Sequence, residues 1–209
     1  LPEQCEVVGY LNGQILLHLQ QDWARANQQY PSGALIAVNL HKGVLGQAHL
    51  LFTPDTQQTI ETVETSRRFI ILHYLENVQS HLKSWNWQHG NWQEHILPDL
   101  PQGTIELIDQ PWGGDLLYFT VEDFLTPSTL LALDLAYNEL SLLRRAPQLF
   151  DARGLTTQQF FAQSADGTQI PYFWAGREAT PDTPTLVYVY GGFGLSELPY
   201  YLGSMGEHW

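Results

Sequence analysis

The residues best placed to do chemistry are Tyr190-Gly191-Gly192-Phe193. The apolar run 185–190, Thr-Leu-Val-Tyr-Val-Tyr, leads straight into that glycine turn. Enzymes built on α/β sheets set their active-site loops at the carboxyl ends of such strands. Glycines there have no Cβ, so backbone and ligand can approach closely. Taken alone, Tyr190 reads as an aromatic packed on a sheet core or edge, and Phe193 as a loop aromatic folded onto the sheet. Other groupings of reactive residues carry less. Of the eight histidines, seven are scattered over different strands with no i,i+2 or i,i+4 pair and His208 stands alone near the end, and the single cysteine, Cys5, adds little to a metal site. Gly191-Gly192-Phe193-Gly194 has neither the spacing nor the lysine of a phosphate loop. Trp85, Trp87 and Trp92 suit blade packing better than a sugar platform. Glu76 and the pair Glu122-Asp123 read as turn and surface carboxylates, and Arg144-Arg145 as surface cations.

The elements that must hold this turn fall into two textures. Residues 1–147 read as short strands between turns, with no helical period. Three segments starting at Leu35, Leu82 and Leu130 align without gaps, 47 and 48 residues apart. Alternation puts Val38, Trp85 and Leu133 in equivalent inward places, with Leu40, Trp87 and Leu135 beside them. Lys83 spoils the place held by Ile36 and Leu131. Around these copies the expected strands are 5–10, 15–19, 35–40 and 48–52, then 60–65, 69–75, 82–87 and 92–97, then 104–109, 116–121, 130–135 and 139–143. Four strands in just under fifty residues, repeated three times, is the mark of β-propeller blades, with a twelve-strand β-sandwich as the competing architecture. Three blades alone leave faces and edges uncovered, which predicts association or poor solubility for an isolated chain.

Residues 148–155 read as an interdomain connection. Beyond them, 158–164 and 169–174 form a hairpin around Asp166-Gly167, with Pro171 confining its strand to an edge or bulge. The run 185–190 does not alternate, as expected of a strand buried on both faces of a parallel sheet. Residues 196–209 read as loop followed by a helix start.

Composition bounds the function. Nine Lys plus Arg against 22 Asp plus Glu give a net charge of −13, which disfavours nucleic acid and anionic lipid as partners. No segment approaches the roughly 20 apolar residues of a membrane span. With one cysteine no internal disulfide is possible, which points to the cytoplasm, with the periplasm as the alternative. Met205 is the only methionine, and the chain reads as an internal piece of a longer protein.

The text of residues 124–209 resembles the prolyl oligopeptidases, serine peptidases in which a seven-bladed propeller caps an α/β-hydrolase domain. The likeness lies in Phe124-Leu125-Thr126-Pro127-Ser128-Thr129-Leu130, in Ser164-Ala165-Asp166-Gly167-Thr168-Gln169-Ile170-Pro171, in 184–190 and in Tyr190-Gly191-Gly192-Phe193. Residues 1–123 are similar more loosely, through Asp22-Trp23 and Tyr30-Pro31-Ser32-Gly33. Sister groups tend to carry Gly-Ser-Tyr or His-Gly-Gly at the glycine turn, so this turn resembles the prolyl branch.

The resemblance implies a domain plan: about three blades in 1–147, the connection 148–155, and the start of the hydrolase domain in 156–209. It implies that Tyr190 donates its hydroxyl to the oxyanion, that Gly191 and Gly192 shape the turn, and that Phe193 lines the pocket for proline. An aromatic wall suits the flat pyrrolidine ring. The family's nucleophile sits in Gly-x-Ser-x-Gly, with Asp and His following it, and this chain has no such elbow. Gly194-Leu195-Ser196-Glu197-Leu198 lacks the second glycine, and Gly203-Ser204-Met205-Gly206 is a second near miss. The triad is therefore expected beyond Trp209, and the chain alone should be inactive. What the resemblance implies for the whole protein is hydrolysis of short peptides on the C-terminal side of proline, without a cofactor. Its implied partners are such peptides and the remainder of the propeller and hydrolase domains. Two alternatives stand beside it: a non-catalytic propeller module that binds or scaffolds, and a related oligopeptidase with another preference before the cut.

Overall fold

The computed structural model describes residues 1–108, 113–190, 192 and 196–208. Its dominant feature is three four-stranded antiparallel sheets, each made of strands close together in sequence. The first holds β1 (Cys5–Leu11), β2 (Gln14–Leu19), β5 (Leu35–His41) and β6 (Val44–Phe52) in that order. The second is β7 (Gln58–Thr65), β8 (Phe69–Glu76), β9 (Gln79–Gln88) and β10 (Asn91–His95). The third is β11 (Thr104–Leu107), β12 (Leu116–Glu122), β13 (Thr129–Asp134) and β14 (Glu139–Arg145). Every strand expected of the three repeats is present, with ends displaced by a few residues; Asp109 lies outside the described residues.

The packing distinguishes blades from a sandwich. Successive side chains of a strand point to opposite faces, and each middle strand uses both. On β8, Ile70, Leu72 and Tyr74 join Leu16, Leu35, Ala37 and Phe52 of the first sheet, with Trp85 and Trp92. Phe69 and Ile71, one residue out of phase, join Ile105, Leu117, Phe119, Leu131 and Leu133 of the third. The middle sheet is therefore sandwiched between its neighbours, as propeller blades are. The repeat register holds as well. Val38, Trp85 and Leu133 lie on the corresponding face of their blades: Trp85 and Leu133 are turned towards the blade before, and Val38 lies on the face of the first blade turned away from the second. Lys83 is accommodated there by laying its ammonium 5.8 Å from the Phe52 ring centroid and 3.6 Å from Glu94.

Blade contacts are also polar. Asp115, ahead of β12, accepts from Ser66 Oγ at 2.9 Å, Arg68 N at 3.0 Å and Arg68 Nε at 2.6 Å. Burial pushes its carboxyl up, but the hydrogen bonds from Arg68 and Ser66 together hold it below the usual value.

The repeat did not disclose β3 (Trp23–Arg25) and β4 (Gln28–Tyr30), a hairpin inserted between β2 and β5. It covers the free face of the first blade. Tyr30 is buried with Leu17, Leu19, Ile36 and Val38, and Trp23 packs against them. The Ser32 N–H donates to Asp22 Oδ1 at 2.8 Å, which closes the loop that carries it.

After the blades, β15 (Thr156–Gln163) and β16 (Gln169–Gly176) make the expected hairpin. Ser164 N donates to Thr168 O at 2.8 Å, and Gly167 takes φ +89° at the turn. Both strands are edges, so Pro171 costs no ladder bond to a third strand. The helix start appears as α1 (Gly203–His208). Among the described residues no helix is long and apolar enough to cross a membrane.

Residues 185–190 depart from expectation. They join no ladder among the described residues, and Val187 and Val189 are 76% and 80% exposed. The non-alternating run would be buried on both faces only with strands and covering elements beside it, and the described residues supply neither.

Candidate functional site

Of the residues singled out in the sequence, Tyr190 and Gly192 can be placed; Gly191 and Phe193 lie outside the described residues. Tyr190 ends the bare 185–190 segment with its ring 45% exposed and no hydrogen-bond partner among the described residues. An ideal Cβ on Gly192 would meet no atom within 4 Å, so this glycine borders open space. A phenol hydroxyl without a described partner can donate to an anionic oxygen brought against it. Ser196 and Ser204 are exposed and no histidine is bonded to either, so neither behaves as a nucleophile with its base.

A recess lies between the second and third blades and the β15–β16 hairpin. It encloses about 820 Å³. It is lined by the start of β9 (residues 79–83), the end of β10 with the 96–103 connection, Phe173 of the hairpin and Pro199. Two side chains hold the hairpin over it. Gln159 Oε1 accepts from Gln79 Nε2 at 2.5 Å, and Gln159 Nε2 donates to Asn77 O at 2.6 Å. Two buried polar atoms along the recess, His95 Nε2 and Thr157 Oγ1, have no hydrogen-bond partner among the described residues. Tyr190 does not line this space.

The histidines do not converge. Among the described residues no group of three or more His, Cys, Asp or Glu could hold a metal ion. Several are packed against rings instead: His49 edge-on to Trp87 at 5.3 Å, His81 stacked on Tyr74 at 5.3 Å, and His95 4.9 Å from Phe69. Trp85 and Trp92 are buried in the interface of the first two blades, and Trp92 Nε1 donates to Gln14 Oε1 at 3.0 Å.

The sequence did not disclose a serine–histidine pair. His73 Nε2 lies 3.0 Å from Ser80 Oγ, which also accepts the Ile105 N–H at 3.0 Å. The Ile105 N–H belongs to the third blade, so Ser80 and His73 together stitch the second blade to the third. His73 is 6% exposed, so it has no access to a substrate. Burial, then the charge of His81, pushes its pKa down to about 4. The folded state thus resists a proton that the unfolded chain accepts near 6.5. The stability from keeping His73 neutral is complete above about pH 6.5 and is lost as pH falls towards 4. Urea midpoints at pH 7 and 4.5 should show an acid loss about 2 kcal/mol larger in the wild type than in His73→Gln. Equal losses would contradict the depressed value.

Comparison with known proteins places this geometry. A peptidase of Sinorhizobium fredii, uncharacterized by name, is 33% identical over 217 residues, covering 100% of this chain and 30% of the relative. One from Rickettsia prowazekii is 25% identical over 218 residues with the same coverage of each. The chain thus spans about a third of the length of these curated relatives. A prolyl endopeptidase of Elizabethkingia miricola is 28% identical over 86 residues, 40% of this chain and 12% of that protein. Among solved structures, a post-proline cleaving enzyme from Rickettsia typhi superposes with TM-score 0.82 at 22% identity, covering 100% of this chain and 31% of that one. Prolyl oligopeptidase B of Galerina marginata gives 0.69 at 19% identity, over 94% of this chain and 27% of that one. Residues 7–146, the three blades, match the model described as the prolyl oligopeptidase N-terminal β-propeller domain, and the chain belongs to that peptidase family.

Proposed function

We propose that this chain joins the end of the propeller to the start of the hydrolase domain in a serine peptidase that cuts short peptides after proline. The domain plan is 1–147 for the blades, 148–155 for the connection and 156–209 for the start of the catalytic domain. Tyr190 donates to the oxyanion of the tetrahedral intermediate, Gly191 and Gly192 let the substrate approach, and Phe193 walls the proline pocket. The carrying observation is the bare apolar segment 185–190 ending in a tyrosine whose hydroxyl lacks a described partner, close in sequence to Gly192, where a Cβ would meet nothing within 4 Å. Such a segment suits a sheet strand that delivers a donor to a reaction site. The names of the Elizabethkingia and Rickettsia typhi relatives favour proline before the cut.

Serine, histidine and aspartate of the triad are supplied by other parts of the whole protein, so the chain by itself does not hydrolyse peptides. The substrates are proline-containing peptides, and the protein works in the cytoplasm without nucleic acid or membrane partners. A panel of fluorogenic peptides differing only in the residue before the cut, assayed on the full-length protein, tests the reading. Cleavage after proline should exceed that after alanine, lysine or arginine by at least about tenfold in kcat/KM. Preference for another residue would move the protein to a different specificity within the family. No hydrolysis of any member would leave a propeller that only binds.

A further inference from the structure

Three places outside the proposed oxyanion donor invite a function: the 820 Å³ recess, a smaller one between the first two blades, and the stretch after the glycine turn. The smaller recess is flanked by Trp85 and Trp92, which are committed to the blade interface. The larger has polar atoms without a described partner on its walls but no charge pattern that selects a ligand. The stretch 199–206 is different, because it is bound at several points to parts of the chain far from it in sequence.

Thr104 Oγ1, at the start of β11, donates to the Pro199 carbonyl at 2.5 Å. Glu122 Oε1, at the end of β12, accepts the Tyr201 N–H at 3.4 Å, and the Phe124 carbonyl accepts the Leu202 N–H at 3.2 Å. In the connection, Leu149 N donates to the Tyr201 hydroxyl at 2.8 Å, and the Phe150 ring stacks on Tyr201 at 5.4 Å and 12°. Phe124 packs between Phe173 of the hairpin and Tyr200, with centroids at 5.5 and 6.1 Å. Gly206 is needed for this fit: an ideal Cβ there would lie 2.4 Å from the Phe150 ring. By contrast, from Glu178 to Leu198 the described residues hydrogen-bond only within that stretch.

We propose that residues 199–206 are a strap anchored on the third blade, and that Tyr201 is a positioning residue for Tyr190. This rests on the oxyanion reading of Tyr190 given above. Only eight residues separate Tyr190 from Pro199, so the docked strap limits how far the donor can wander. On the upstream side the nearest anchored element is the β15–β16 hairpin, which ends at Gly176, so the strap is the nearer tether between Tyr190 and the propeller. Tyr201 contributes through two separable parts: its ring stacks on Phe150, and its hydroxyl receives the Leu149 N–H. Releasing it should leave the donor chemically intact but misplaced, and small misplacements at a reacting centre are costly in rate.

The test uses the full-length protein and a fluorogenic prolyl peptide. Tyr201→Ala should lower kcat about tenfold or more while KM changes less than about twofold. Tyr201→Phe, which keeps the stacked ring, should recover most of the rate. Amide hydrogen exchange over 185–196 should quicken in Tyr201→Ala and stay near wild type in Tyr201→Phe. A purely structural role would lower the melting temperature but leave kcat per folded molecule and that exchange unchanged, and this would overturn the proposal. Thr104→Val serves if Tyr201→Ala does not fold. It removes only the bond to the Pro199 carbonyl and should lower kcat a few-fold with faster exchange at 196–206; wild-type values for both would likewise overturn it. Tyr190→Phe separates the two readings. If that variant keeps full activity the oxyanion assignment falls, and the strap then stands or falls on the exchange data. If it loses activity while Tyr201→Ala and Thr104→Val behave as wild type, only the strap is wrong.

Discussion

Tyr190→Phe in the full-length protein should lower kcat for a prolyl peptide by about 10²–10³, the cost of removing one oxyanion donor. The substitution deletes one oxygen and keeps the ring, so packing around the 185–190 segment is unchanged. A donor that acts only as charge develops lowers kcat and kcat/KM together and leaves KM nearly constant. The free enzyme should melt within about a degree or two of wild type, because the hydroxyl has no partner among the described residues to lose. An unchanged kcat would show that this hydroxyl does not reach the reacting carbonyl. A large loss of melting temperature would instead make Tyr190 a packing residue, as its place at the end of an apolar run also allows. Measuring both quantities on one preparation separates these outcomes.

Gly103→Ala carries the largest expected effect on folding. Gly103 has φ +143° and sits just ahead of β11, where the chain enters the third blade. An alanine Cβ would lie 2.4 Å from the Glu122 carbonyl oxygen and 2.9 Å from its carbon. These are backbone atoms of the paired strand β12, where Thr104 faces Glu122 in the ladder, so no side chain can swing away. The methyl group therefore meets both a strained backbone angle and a wall. Moving either strand would disturb the ladder beside Ile105 and Val121, which are buried in the interface of the second and third blades. A loss of about 3 kcal/mol or more is expected, read as a melting temperature lower by roughly 6–12 °C. Gly43→Ala is the matched control. Its φ is +80°, but its Cβ would meet nothing within 4 Å, so it should show the backbone strain without the clash. Equal losses in the two variants would mean that strain alone is responsible. The same wall at Glu122 serves the strap, since its carboxylate accepts the Tyr201 N–H.

The three blades could be read from the chain because each is local. Four strands in succession pair with their sequence neighbours, and period-two alternation marks which side chains face the next sheet. Val38, Trp85 and Leu133 could be aligned by text alone because a repeated fold gives equivalent positions equivalent surroundings. The hairpin β3–β4 escaped that reading because strands of three residues are too short to show a period. Only packing reveals that Tyr30 and Trp23 cover the free face of the first blade. The pairing of His73 with Ser80 was equally hidden. Seven residues apart across a strand turn, they meet because β8 and β9 are antiparallel, and the Ile105 N–H that completes the set comes from another blade.

At the other end, the non-alternating text of 185–190 states that both faces require cover, but it does not contain the covering elements. The described chain leaves them exposed. The contacts of Pro199 and Tyr201 with Thr104, Glu122 and Leu149 join residues 52 to 95 positions apart. No local pattern encodes such meetings. Sequence determined the blades, the turns and the kind of residue at Tyr190, because backbone pairing and solvent preference act on near neighbours. Tertiary structure decided what seals the first blade, why His73 stays neutral and what holds Pro199 and Tyr201 in place, because these depend on groups that only the folded chain brings within bonding distance.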